Sequence, residues 1–291
     1  MRIANLDHRL VLLTGEGAVD VATASSGQFT SDPQAIYPDW DAFTAWAATV
    51  DPATANPYDP THLGAPTPTP GQIFAIGLNY ADHAAESGFT APTEPAVFTK
   101  FVSSITGPYA TVALPTATVD WEVELVVVIG RPTYRVDASR AWEHIAGLTI
   151  GQDLSERTRQ LVPPAPQFSL GKSFPGFAPI GPWVVTADEV ADRDDLELGC
   201  AINGEQAQKG RTADLLFSIP ALIERLSAVL PLAPGDIIFT GTPSGVGHAR
   251  SPQRYLAPGD DLTSWVQGIG EIRTTFIDGP RYAAPTTKKE N

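Results

Sequence analysis

The stretch VDWEVELVVVIG, residues 119–130, constrains the fold of this chain more than any other. Side chains alternate along a strand. Trp121, Val123, Leu125, Val127 and Ile129 therefore share one face, and Glu122, Glu124, Val126 and Val128 share the other. Apolar residues on both faces place such a strand in an interior, yet two carboxylates lie roughly 7 Å apart along one of them. Each costs several kcal/mol to bury unpaired, and each raises the pKa of the other. Something must neutralise them, and side chains at this spacing can converge on a single cation. One more carboxylate would complete an all-oxygen site suited to Mg²⁺ or Mn²⁺, or to Ca²⁺. Asp153 in LTIGQDLSE, which also follows a short apolar strand, is the candidate. The competing reading is a solvated strand edge whose glutamates face water or pair with arginines.

A second constellation lies in NYADHAAESG, residues 79–88. His83 and Glu86 stand three apart, within contact distance on one helical face. A carboxylate beside an imidazole raises its basicity and fixes its tautomer, as a general base requires. The plainer alternative is a surface His–Glu pair on a short helix. Other motifs fail on inspection. The GKS at 171–173 lacks the glycine of a phosphate-binding loop, since Pro166 stands five residues earlier and has no N–H to offer phosphate. In GTPSGVG the residue two before Ser244 is Thr242, where a nucleophile elbow needs glycine. No HExxH occurs, and five scattered histidines make no zinc site.

A formal net charge of −14 speaks against a nucleic-acid partner. A single cysteine, Cys200 in the strand-like LELGCAING, excludes an internal disulfide and reads as a buried inert thiol. No run approaches the roughly 18 apolar residues of a membrane span, and the first residues do not form a signal peptide. A soluble cytoplasmic protein is the expectation. Residues 51–71 carry six prolines and read as an extended, polyproline-like connector. Before it lie short strands and one helix over DWDAFTAWAATV, opened by Asp39 or Asp41 as cap. The chain thus divides into a small N-terminal α/β module with its linker (residues 1–70) and a larger unit (residues 71–291). In the larger unit strands outnumber helices without alternating with them. That pattern favours an α+β, β-rich roll over a doubly wound sheet.

Five blocks, IGLNYADHAAESG, DWEVELVVVIGR, GQDLSERTRQ, GKSFPGFAPIGPWVVT and FTGTPSGVG, stand in this order between about residues 71 and 275. Together they resemble the signature blocks of the fumarylacetoacetate hydrolase family, and the first 65 residues resemble the variable extra domain of bacterial members. The resemblance implies a mixed β-sandwich roll, a homodimer, and Mg²⁺ or Mn²⁺ held by Glu122, Glu124 and Asp153. It further implies that His83 and Glu86 activate water from a mobile lid. Lys172 and Gln160 would stabilise developing negative charge, Arg157 would hold a substrate carboxylate, and Thr242 would line the site. The chemistry implied is hydrolysis of a C–C bond in a 2,4-dioxo acid such as an acylpyruvate, through an enolate. Decarboxylation of an oxaloacetate-type acid and tautomerisation of an oxo-dienoate use the same machinery. A non-catalytic protein binding a small acid is the remaining alternative. The chain departs from the family pattern at Glu156, Thr158, Pro175 and Leu78, positions that bear on substrate more than on metal.

Overall fold

The computed structural model describes residues 1–88 and 90–281. The predicted strand forms as Val123–Ile129 and is buried along its whole length. Its two apolar faces serve two different cores, as the alternation requires. Val123, Leu125 and Val127 belong to one cluster, and Val126 and Val128 to the other.

Val123–Ile129 sits inside an eleven-stranded mixed sheet, between Ile145–Gln152 and Ile237–Phe239. Ile237–Phe239 in turn pairs in parallel with Ile73–Gly77, followed by Ala96–Thr99 at the edge. In the other direction come Ala178–Val185 and then Arg2–Leu6, so the N-terminal strands continue the same sheet. A five-stranded sheet runs Glu205–Arg211, Glu197–Ile202, Asp261–Val266, Gly270–Asp278 and Thr111–Leu114. Leu198, Cys200, Leu262, Ile272 and Phe276 on this sheet pack against Leu125, Leu148 and Ile150 of the large one. Cys200 is buried there, as expected for an inert thiol.

The helix Ile219–Val229 covers one flank, burying Ile219, Leu222, Ile223 and Leu226 at helical spacing. Ser218 caps it by accepting from the Ala221 N–H, and Pro220 sits in the first turn, where a missing N–H has no cost. Ser218→Ala is expected to lower stability by about 1 kcal/mol in urea unfolding. Phe43, Tyr37 and Trp40 of the N-terminal region cover the opposite face of the large sheet, packing with Val126, Ile237 and Phe239. The β-rich, mixed-sheet α+β fold is therefore the one expected. Among the described residues, no helix is long and apolar enough to cross a membrane.

Two local expectations need correction. Asp39 stands at the N-cap of the helix Trp40–Ala47 but makes no side-chain capping bond, and Asp41 binds Arg131 instead. The helix is held by its aromatic face rather than by its cap. The proline-rich segment is not simply extended. It forms 3-10 turns at Pro52–Thr54 and Pro60–His62, each capped by the preceding aspartate, and Leu63–Gly64 pairs with Arg2–Leu6. An Asp-Pro step supplies both the cap and the preset φ of such a turn.

Candidate active site

Strand register brings the third carboxylate to the first two. In the hairpin of Val123–Ile129 with Ile145–Gln152, Val123 faces Gln152 and Glu124 faces Gly151. The next residue, Asp153, then donates its N–H to the Glu122 carbonyl at 2.9 Å. Oxygens of Glu122, Glu124 and Asp153 come within 4.8 Å of one another, and all three residues are buried.

Three cations answer them. Lys172 Nζ lies 2.7 Å from Glu122 Oε2 and 2.6 Å from Asp153 Oδ2. Lys100, itself fully buried, donates to Asp153 Oδ1 at 2.6 Å and to the Lys172 carbonyl. Arg157 reaches Glu122 Oε1 at 2.7 Å and Asp120 Oδ2 at 2.7–2.8 Å, and donates to Gln160 Oε1 at 2.9 Å. Four carboxylates, counting Asp120, thus face three cations. Burial pushes the Glu122 carboxyl up, but Lys172 and Arg157 outweigh it and hold it down at about 2. Glu124 goes the other way. Burial, then the charges of Asp153 and Glu122, hold its carboxyl well above the ordinary range. Burial also pushes the Lys100 ammonium down, assisted by Lys172 and opposed by Asp153. The charge missing from this centre is a positive one beside Glu124. An all-oxygen, buried, underneutralised donor set is what Mg²⁺ or Mn²⁺ requires, so these residues fit the metal that the resemblance implies.

The loop after Ile237–Phe239 holds the acids from behind through its backbone. Gly241 N–H donates to Glu124 Oε2 at 2.7 Å, Gly245 N–H to Glu86 Oε2 at 2.9 Å, and Gly247 N–H to Asp120 Oδ1 at 2.7 Å. Gly241 and Gly245 have φ of +103° and +108°, which side chains avoid. At Gly247 a Cβ would lie 1.8 Å from the Arg254 carbonyl and 2.8 Å from Asp120 Oδ1. GTPSGVG is thus a rack of amide donors for three carboxylates. Thr242 lines the cavity, but its hydroxyl donates to the Val123 carbonyl at 2.9 Å and accepts from Gln208 Nε2 at 2.8 Å.

His83 lies on the short helix Ala81–Glu86, buried, with Nδ1 2.8 Å from Glu86 Oε1. It is not the surface pair of the plainer reading. Asn79, two residues before that helix, is bonded on both ends of its amide to Phe217 and to the Thr240 carbonyl, which fixes where the helix starts. His83, Glu122, Glu124, Arg157, Gln160, Lys172 and Thr242 all line one cavity of about 190 Å³. Glu86 and Asp153 stand behind this lining, holding His83 and the two lysines. All nine sequence-derived residues therefore belong to one region.

Sequence reasoning missed Lys100, Asp120 and the amide donors, and it noted Glu156 only as a departure. Glu156 is buried and caps the turn Arg157–Gln160: its Oε2 accepts from Arg159 N–H at 2.6 Å, and its Oε1 accepts from Thr158 N–H at 3.2 Å and from the Thr116 and Thr118 hydroxyls. Glu156→Ala is expected to lower stability by about 1–2 kcal/mol by urea unfolding, through loss of the cap and the stranding of its partners.

The fold and centre together define a β-rich roll whose buried acidic cluster, of metal-binding type, opens beside a histidine–carboxylate pair. Residues 72–277 match the family model described as fumarylacetoacetate (FAA) hydrolase C-terminal. A Mycobacterium smegmatis crystal structure, provisionally named HpcE, is 55% identical with a TM-score of 0.91, covering 96% of this chain and 100% of that one. The human mitochondrial protein named oxaloacetate tautomerase FAHD2A is 43% identical over 210 residues, 72% of this chain and 67% of its own. The maleylpyruvate hydrolase of Sphingobium sp. SYK-6, solved with manganese(II) and pyruvate, is 28% identical with a TM-score of 0.77, covering 96% of this chain and 100% of that one. This chain belongs to the fumarylacetoacetate hydrolase family.

Proposed function

We propose that the chain is a divalent-metal-dependent hydrolase that cleaves a C–C bond in a 2,4-dioxo acid of the acylpyruvate type. The observation that carries this reading is the His83–Glu86 pair, 2.8 Å apart and opening onto the same cavity as Glu122 and Glu124. Glu122, Glu124 and Asp153 would hold Mg²⁺ or Mn²⁺, which when bound supplies Lewis-acid stabilisation of negative charge on the oxygens of a 2-oxo acid.

The remaining work falls to side chains. Glu86, itself held by the Gly245 amide, accepts from His83 Nδ1 and so leaves Nε2 as the basic nitrogen. His83 takes a proton from water, and the oxygen of that water adds to the C4 carbonyl carbon. The C3–C4 bond then breaks, its electron pair passing to C3 as the enolate, and the imidazolium returns its proton to C3. The products are a carboxylic acid and pyruvate. Lys172 carries positive charge for the developing oxyanion. Because Arg157 occupies Gln160 Oε1, the amide N–H end of Gln160 is the one left for substrate oxygen. Arg157, engaged with Asp120, Glu122 and Gln160, acts by holding those groups rather than by clamping substrate.

Acetylpyruvate incubated with metal-stripped protein, with and without Mn²⁺, tests the reading: acetate and pyruvate should appear in equal amounts and only with metal. A second reading, tautomerisation, is favoured by the name of the human relative. There the same pair would move a proton between C3 and oxygen without using water. Enol–keto conversion of oxaloacetate with no acetate from acetylpyruvate would put tautomerisation first, and loss of CO₂ from oxaloacetate would indicate a decarboxylase. We expect a homodimer, which sedimentation measures directly.

A further inference from the structure

His248 lines the cavity and has no part in the chemistry assigned above. Its backbone N–H donates to Asp120 Oδ2 at 2.9 Å, and its carbonyl accepts from Gln253 Nε2 at 2.9 Å. On the ring, Nδ1 lies 2.9 Å from the Tyr255 hydroxyl, which itself donates to Gln253 Oε1 at 3.1 Å. Three of the four polar atoms of His248 are thus engaged with the protein. The fourth, Nε2, has no hydrogen-bond partner among the described residues, yet it is not one of the enclosed unpaired polar atoms, so it is open to solvent. A ring held this way spares a ligand the cost of ordering a free side chain.

His248 also stands apart from the acids. Glu122 is met by Arg157, Arg157 by Asp120, and Asp120 by the His248 N–H, so a buried ion pair separates this histidine from the acidic centre. The other donors on the lining belong elsewhere. Lys172 bonds Glu122 and Asp153, and Gln160 shares Arg157 with Glu122, so both serve the metal-facing end of a ligand. Ser87, at the end of the His83 helix, offers a neutral hydroxyl. His83 has its countercharge in Glu86, whereas the ring of His248 has only the neutral Tyr255 hydroxyl and Gln253 amide, and Asp120 beside its N–H is paired with Arg157. A carboxylate facing an imidazole favours the charged ring and bonds to it. A carboxylate on the ligand would supply that missing partner.

We infer that His248 is a specificity-determining residue whose Nε2 pairs with a carboxylate at the end of the ligand remote from the metal centre, so that the 2-oxo acid preferred by this site is dicarboxylic. The inference rests on the reading of the acidic centre as a metal-dependent 2-oxo-acid site. It concerns binding, so it holds whichever reaction follows.

Calorimetry on the full chain loaded with Mn²⁺ tests it. Oxalate and pyruvate probe the metal-facing end alone. The acids 2-oxoglutarate and 2-oxoadipate add a distal carboxylate, and 2-oxopentanoate and 2-oxohexanoate have the same chain lengths without one. Each dicarboxylate should bind about 10-fold or more tighter than the monocarboxylate of its length. In His248→Phe that ratio should fall to about one, and His248→Gln, which keeps a neutral N–H donor, should hold an intermediate ratio. A wild-type ratio near one, or a ratio that survives in His248→Phe, would overturn the inference while leaving the site reading intact. A loss in His248→Phe shared equally by oxalate would also overturn it, because the histidine would then be a support of the acidic centre. Should the phenylalanine variant fail to fold, the glutamine variant decides the same question: a ratio as large as that of the wild type counts against the inference. Failure of both oxalate and pyruvate to bind the wild type would overturn the site reading and the inference with it.

Discussion

Asp153→Ala is expected to cost about 3–5 kcal/mol of stability as well as all measurable affinity for Mn²⁺. The stability loss arises because Asp153 is the shared partner of two buried lysines, Lys100 and Lys172, at 2.6 Å from each. Removing it leaves Lys100 with a backbone carbonyl as its acceptor and Lys172 with Glu122 as its remaining carboxylate. Urea unfolding of metal-free protein reads the first effect and calorimetry the second. Glu124→Gln provides the contrast. Burial and the neighbouring carboxylates already disfavour its charge, so the glutamine variant should lose Mn²⁺ binding yet unfold at or above the wild-type midpoint when metal-free. With Mn²⁺ at about 100 times its Kd the wild type alone should gain about 2.7 kcal/mol. Retained affinity in either variant would remove that residue from the ligand set.

The difference between these two acids also marks where sequence reasoning stopped. Glu122 and Glu124 stood out because charge interrupted a strand that was apolar on both faces. Asp153 was found because it too ends an apolar run, and strand register then makes it the neighbour of Glu122. His83 and Glu86 needed only helical spacing. Nothing local marks Lys100, which reads as an ordinary lysine at the end of a short strand and meets Asp153 across 53 positions. Asp120 could not be told from a turn aspartate until Arg157 and the Gly247 and His248 amides closed around it. The amide rack of GTPSGVG was illegible for a different reason. Its donors are backbone groups, so the sequence displays only the glycines that let the chain turn and approach closely. Glu156 stands out in the sequence only as a departure from the family pattern, whereas in the fold it caps the turn that presents Arg157 and Gln160.

His83→Ala is expected to reduce turnover of acetylpyruvate by about 10²- to 10⁴-fold, the range that a positioned general base contributes. Mn²⁺ affinity should stay within about 2-fold of wild type, because His83 offers no carboxylate oxygen to the acidic centre and hydrogen-bonds to Glu86 instead. Added imidazole should restore part of the rate, since alanine leaves a gap where the base stood. Glu86→Gln should fall between the two. A glutamine oxygen can still accept from Nδ1, so the ring keeps its orientation but loses the neighbouring negative charge that raises its basicity. The order wild type, Glu86→Gln, His83→Ala at constant metal affinity is specific to a base oriented by a carboxylate. A parallel loss of Mn²⁺ binding would instead mark the pair as structural support for the acidic centre. Unchanged turnover in His83→Ala would take the histidine out of the chemistry altogether.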